Sequence, residues 1–297
     1  MKKQLFTGSG VAIVTPMHPD GAVNYDALTR MLEFQLQNST DAIIVTGTTG
    51  EASTLDDEEH LDVIEHCVTT VNKRVPVIAG TGSNDTRHGL ALSREASIRG
   101  ADGLLHVTPY YNKTSQSGLV RHFLTIADAV GLPMIVYNVP SRTGMTIAVD
   151  TYKELAAHPL ILATKEASGD ISHIANVAAA CGDELGIYSG NDDQILPILS
   201  LGGIGVISVL ANVVPQDIHD ICHMYFMGRV QDSKALQLQL LPLNNALFSE
   251  VNPIPVKEAL NMMGYDAGPC RLPLGPMAED KKQHLNTILK RFSLLPA

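Results

Sequence analysis

Short apolar runs alternate along this chain with longer stretches in which apolar residues recur every three or four positions. The runs are Val11–Val14, Ala42–Thr46, Val75–Ala79, Gly103–Val107, Met134–Tyr137, Ile161–Lys165, Leu185–Ser189 and Gly205–Val209. They are too apolar to be half exposed, which predicts parallel strands covered on both faces. Between them, Leu61, Ile64, Val68 and Val71 share one helical face, as do Leu119, Phe123, Ile126 and Val130. The helix after the second strand is predicted to begin with Thr54 and the acids from Asp56 to Glu59, which suit a positive helix N-terminus.

Repeated strand–helix units of this kind predict an α/β fold, a (β/α)8 TIM barrel over residues 1–229. An open doubly wound sheet competes, but no glycine fingerprint follows the first strand. Residues 230–297 contain no strand candidate and predict a C-terminal helical appendix packed on the barrel. Leu236, Leu240, Leu243 and Leu247 mark one helix that Pro242 should kink. A second helix follows Asn252-Pro253-Ile254-Pro255 and runs through Met262 and Met263. The last covers about Glu279–Phe292.

Composition narrows the function. With a net charge of −10, the chain lacks the basic surface that nucleic acid requires. No stretch approaches membrane-spanning length, and Thr15-Pro16 interrupts the early apolar run before it resembles a signal peptide. Cys67, Cys181, Cys222 and Cys270 are widely spaced and read as reduced thiols, consistent with a cytoplasmic protein. The histidines suggest no metal site: His60 and His66 are six apart, and His219 and His223 lack a nearby carboxylate set. All four read as residues of solvated helix faces.

Unusual polar residues collect where the strands end, the position at which barrel enzymes carry their chemistry. Lys165 ends an apolar strand, and burial there would lower its pKa and supply the neutral amine that carbonyl addition needs. The alternative is a lysine paired with Glu166. Tyr137 ends the preceding strand and could pass protons beside Lys165, or simply be core. Gly47-Thr48-Thr49-Gly50 offers hydroxyls and N–H groups to a carboxylate, and Arg142 a bidentate clamp. Gly202-Gly203-Ile204-Gly205 precedes the eighth strand, so it is poorly placed as a phosphate site.

With these residues in view, the whole chain resembles the dihydrodipicolinate synthase and N-acetylneuraminate lyase family of class I aldolases. The stretches that carry the resemblance are GTTGE (47–51), VTPYYN (107–112), YNVPSRTG (137–144), KEASG (165–169) and GVISV (205–209). The resemblance implies a Schiff base between Lys165 and pyruvate, with no cofactor and no metal. Tyr137 would shuttle protons, with Thr48 and Tyr111 completing a relay and Tyr111 serving the neighbouring subunit. Thr49 would hold the pyruvate carboxylate, Arg142 the second substrate's carboxylate, and Gly190 and Ile207 would line the pocket through their backbones. A homotetramer built from tight dimers is implied. The arginine of PSRTG favours synthase-like members over sialic acid lyases. The implied reaction joins pyruvate to aspartate 4-semialdehyde, giving 4-hydroxytetrahydrodipicolinate on the route to diaminopimelate and lysine. Another pyruvate-dependent aldolase, such as one acting on 2-keto-3-deoxygluconate, is the alternative.

A lysine effector site at the subunit interface is also implied, matched by Asn84, Tyr110 and His60. His88 stands where that pattern expects a carboxylate and Asp57 where it expects a histidine, which implies weak or absent lysine inhibition.

Overall fold

In the computed structural model, which describes residues 2–295, eight parallel strands close into a barrel in sequence order. They are β1 (Gly8–Ala12), β2 (Ala42–Val45), β3 (Val77–Gly80), β4 (Gly103–Val107), β5 (Met134–Asn138), β6 (Ile161–Glu166), β7 (Gly186–Ser189) and β8 (Gly205–Ser208). The helices around them are α1 (Tyr25–Gln37), α2 (Asp57–Val71), α3 (Thr86–Ile98), α4 (Gln116–Val130), the short α5 (Pro140–Thr143), α6 (Val149–Ala156), α7 (Ile171–Cys181), α8 (Ile195–Ser200) and α9 (Pro215–Phe226). Then come α10 (Val230–Leu247), α11 (Ile254–Met262) and α12 (Glu279–Arg291).

The strand period of two sorts the apolar residues into two packed regions. Ile43 and Val45 join the layer between barrel and helices, while Ile44 packs inside the barrel with Ile78, Leu105, Ile135, Tyr188 and Ile207. At the floor, Tyr188 stacks on Phe6 with ring centroids 4.4 Å apart, and its hydroxyl donates to the Phe6 carbonyl at 2.6 Å. The barrel is therefore a filled core, open to ligands at its mouth.

β1 lies about three residues earlier than the apolar run predicts. Gly8, Ser9 and Gly10 pair with Gly205, Val206 and Ile207 of β8. A Cβ on Gly205 would collide with the Gly8 carbonyl, and one on Gly10 would stand 2.5 Å from the Ile44 side chain. The closing seam needs glycines, which read as breakers in a single sequence. The start of α2 also differs from expectation. Asp56 is the N-cap and shares a reciprocal capping box with Glu59. Thr54 ends a preceding 3₁₀ turn, its hydroxyl donating to the Glu51 carbonyl at 3.1 Å.

Pro242, expected to kink a helix, lies inside α10, which continues on both sides of it. The carbonyl deprived of a partner belongs to Leu238, which is 55% exposed, so water can satisfy it. Among the described residues, no helix is long and apolar enough to cross a membrane. Cys67, Cys181 and Cys222 are buried, Cys270 is partly so, and all four are free thiols.

Candidate active site

A cavity of about 370 Å³ opens at the C-terminal ends of the strands. Its wall includes Thr48 and Thr49 after β2, Tyr137 at the end of β5, Arg142 on α5 and Lys165 near the end of β6. Five residues singled out from the sequence thus converge on one space, although 117 positions separate Thr48 from Lys165.

Strand register sets the central pair. Tyr137 is the Cα partner of Lys165, which in turn pairs with Tyr188. Side chains at the same height of neighbouring parallel strands point the same way. Lys165 Nζ accordingly lies 4.4 Å from the centroid of the Tyr137 ring. Lys165 is only 6% exposed. Burial lowers its pKa to about 8; the Asp192 carboxylate partly opposes this and the Arg142 guanidinium adds to it. About a tenth of the amine is then neutral at pH 7. Burial also raises the Tyr137 phenol above its ordinary range, against the opposing effects of Arg142 and the Thr48 hydroxyl. The phenol therefore keeps its proton and can donate it.

Glu166 is not the partner of Lys165. It faces the helical layer, where its carboxylate accepts from the Tyr152 hydroxyl at 2.5 Å, Asn138 Nδ2 at 2.9 Å and Ser168 Oγ at 2.9 Å. The acid that does act on Lys165 is Asp192, buried just beyond β7. It accepts from the Ser208 hydroxyl and from the Val209 and Leu210 N–H groups at 2.9 and 3.1 Å. Burial raises its pKa, while these donors and Lys165 pull it back. Asp192 is not singled out in the sequence, where it stands between Asn191 and Asp193. Only the turn that buries one of them makes that choice.

The GTTGE loop is held from behind. Glu51, at φ +55°, is buried and pairs with Lys257 of α11 at 2.7 Å. Lys257 also donates to the Thr15 and Pro269 carbonyls, and the Arg271 N–H donates to Glu51 at 2.9 Å. A larger cleft of about 690 Å³ beside α11 is lined by Lys257 and the 266–277 segment, away from Lys165.

Gly190 and Ile207 do not appear in the cavity wall. Ile207 belongs to the closed inner layer, and the Gly190 N–H is taken by the Glu166 carbonyl at 2.6 Å. Tyr111 is 93% exposed and stands outside its own chain's cavity. Its φ of +67° is costly for an aromatic residue and turns the side chain outward.

The outer part of the same cavity is lined by Asp57, His60, His88, Ser83 and Tyr110. Asn84 stands behind it, donating to the Tyr110 carbonyl at 3.1 Å. His60, expected on a solvated face, is buried: its Nε2 bonds the Gly80 carbonyl at 2.9 Å, and desolvation lowers its pKa. His66 meets the Thr29 hydroxyl at 2.8 Å, and His219 meets Asp41 at 3.0 Å, so neither is simply solvated. His88 Nε2 and Asp57 Oδ1 are 2.8 Å apart.

Known proteins resemble this chain throughout its length. The 4-hydroxy-tetrahydrodipicolinate synthase of Caldicellulosiruptor bescii is 56% identical over 290 residues, covering 98% of each chain. A chloride-inhibited dihydrodipicolinate synthase from Acinetobacter baumannii, solved in complex with pyruvate, is 44% identical with a TM-score of 0.95, covering 97% of this chain and 99% of its own. The DHDPS of Cyanidioschyzon merolae, solved with lysine bound, is 37% identical with a TM-score of 0.96, covering 99% of this chain and all of its own. A sequence profile of the Dihydrodipicolinate synthetase family matches residues 5–292. The chain, an enzyme with the barrel and strand-end polar residues described above, belongs to that family.

Proposed function

We propose that this protein is a class I, Schiff-base-forming 4-hydroxy-tetrahydrodipicolinate synthase that condenses pyruvate with L-aspartate 4-semialdehyde. The observation that carries this reading is a buried Lys165 at the barrel mouth, its pKa lowered to about 8 and its Nζ against the Tyr137 ring. The pyruvate complex of the Acinetobacter baumannii relative supports the choice of keto acid.

The neutral Lys165 amine adds to C2 of pyruvate to form a carbinolamine. Tyr137, with Thr48 beside it, supplies the proton that lets the hydroxyl leave as water. The resulting imine withdraws electrons from C3, so a C3 proton is lost and an enamine forms. C3 of the enamine attacks the aldehyde carbon, and the substrate's own amine then displaces Lys165 as the ring closes. Thr49 holds the pyruvate carboxylate and Arg142 the semialdehyde carboxylate. Tyr111, exposed and outward-facing, completes the relay in a neighbouring subunit of a homotetramer. The chemistry runs through the covalent imine without a cofactor, in the cytoplasm.

Borohydride reduction in the presence of pyruvate, followed by intact mass and peptide mapping, tests the reading. A pyruvate adduct at Lys165 is expected. A folded protein that gives none at saturating pyruvate would remove it. Preference for glyceraldehyde over aspartate semialdehyde would move the function to a sugar-acid aldolase.

A further inference from the structure

Asn252 lies in the connection between α10 and α11, far from any strand end, yet it touches two residues of the site. Its Nδ2 donates to Thr49 Oγ1 at 3.0 Å, and its backbone carbonyl accepts from Arg142 Nη2 at 3.2 Å. The side chain is 6% exposed, and its Oδ1 is buried with no partner. An orphaned buried acceptor costs about 1–3 kcal/mol, so packing alone does not account for an amide here.

A threonine hydroxyl has a single proton. By accepting from Asn252, the Thr49 oxygen commits a lone pair to the amide and leaves its proton free. No protein acceptor takes that proton among the described hydrogen bonds, and Thr49 stands on the cavity wall. The proton is thus available to an anion in the cavity, and the amide polarises the hydroxyl toward that use. Valine or alanine at position 252 would leave Thr49 free to rotate and donate elsewhere.

Resting on the imine-forming reading above, we propose that Asn252 is a positioning residue for the pyruvate carboxylate. It fixes Thr49 as a hydrogen-bond donor to that carboxylate, while the backbone carbonyl at the same position holds Arg142 at the mouth. The helical C-terminal region thereby completes the keto-acid end of a site otherwise built by the barrel. Its second tie to the same loop, Lys257 on Glu51, gives it a rigid purchase.

The test is borohydride trapping across a range of pyruvate concentrations in the wild-type protein, N252A, T49V and N252A/T49V. In N252A, half-saturating pyruvate is expected to rise about five- to tenfold, the scale of one ordinary hydrogen bond, with the limiting trapping rate little changed. In the T49V background, the same substitution should add less than about twofold, because the interaction it removes is already gone. An unchanged half-saturation in N252A, or an equal effect in both backgrounds, overturns the proposal. Should N252A prove insoluble, the near-isosteric N252D serves: it can only accept from Thr49, so pyruvate binding should weaken at least as much. Wild-type behaviour in N252D overturns the proposal equally. A wild-type protein that forms no adduct at all sinks the imine reading itself, and this inference with it.

Discussion

Lys165 and Glu166 are neighbours in β6, yet their side chains occupy opposite sides of the barrel wall, one in the cavity and the other bonded to Tyr152 of α6. The pleat separates a nucleophile from the acid that would otherwise pair with it and keep it protonated. The buried amine is left to desolvation, with Asp192 as its moderating counter-charge.

Replacing that amine should separate function from stability. Lys165→Met removes the pyruvate adduct completely. The gap between about 8 and the ordinary 10.5 corresponds to a cost of ~3 kcal/mol to the wild-type fold below pH 8. The sign follows from proton binding: below the folded value the unfolded chain gains nothing further, between 8 and 10.5 the penalty shrinks, and above 10.5 it vanishes. The variant should therefore match or exceed wild-type stability at pH 7, with its advantage fading as pH rises. Denaturant titrations across that range check this, and a large loss of stability at pH 7 would contradict it.

The same lowered pKa sets the pH profile of imine formation. At low pyruvate, the trapping rate should rise with pH and level off above about 8. A profile still climbing steeply at pH 10 would mean that Lys165 titrates like an exposed lysine.

Tyr137→Phe keeps the ring against Lys165 and removes the proton. Imine formation should slow by about 10²–10⁴-fold, the usual worth of a positioned general acid. The adduct itself should remain detectable at long times. A variant within about threefold of wild type would exclude the phenol from the relay.

The pair Glu51–Lys257 joins the GTTGE loop to α11 with both side chains almost wholly buried. Lys257→Met strands a buried carboxylate and should cost about 3–5 kcal/mol. Adding Glu51→Gln should recover much of that loss, because no uncompensated charge then remains. Chemical denaturation of the single and double variants decides it, and purely additive losses would rule out the pairing.

In the effector region, His88 stands where the lysine-binding pattern expects a carboxylate, and it pairs with Asp57 Oδ1 at 2.8 Å. Inhibition by lysine is expected to be weak or absent. Sub-millimolar inhibition in a steady-state assay would sink this reading.

What the chain determines unaided is whatever has a local period or a local breaker. Apolar runs of strand length, separated by amphipathic helices, imply a barrel and put Lys165, Tyr137, Thr48, Thr49 and Arg142 at strand ends. Glycine at the β1–β8 seam hid the true first strand, because its use there is contact with a strand almost 200 positions away. Which acid faces Lys165, that His60 is buried, and that Asn252 reaches Thr49 from 203 residues away were decided only by tertiary structure. Such contacts depend on burial and on the direction of single side chains, and neither leaves a periodic trace in the sequence.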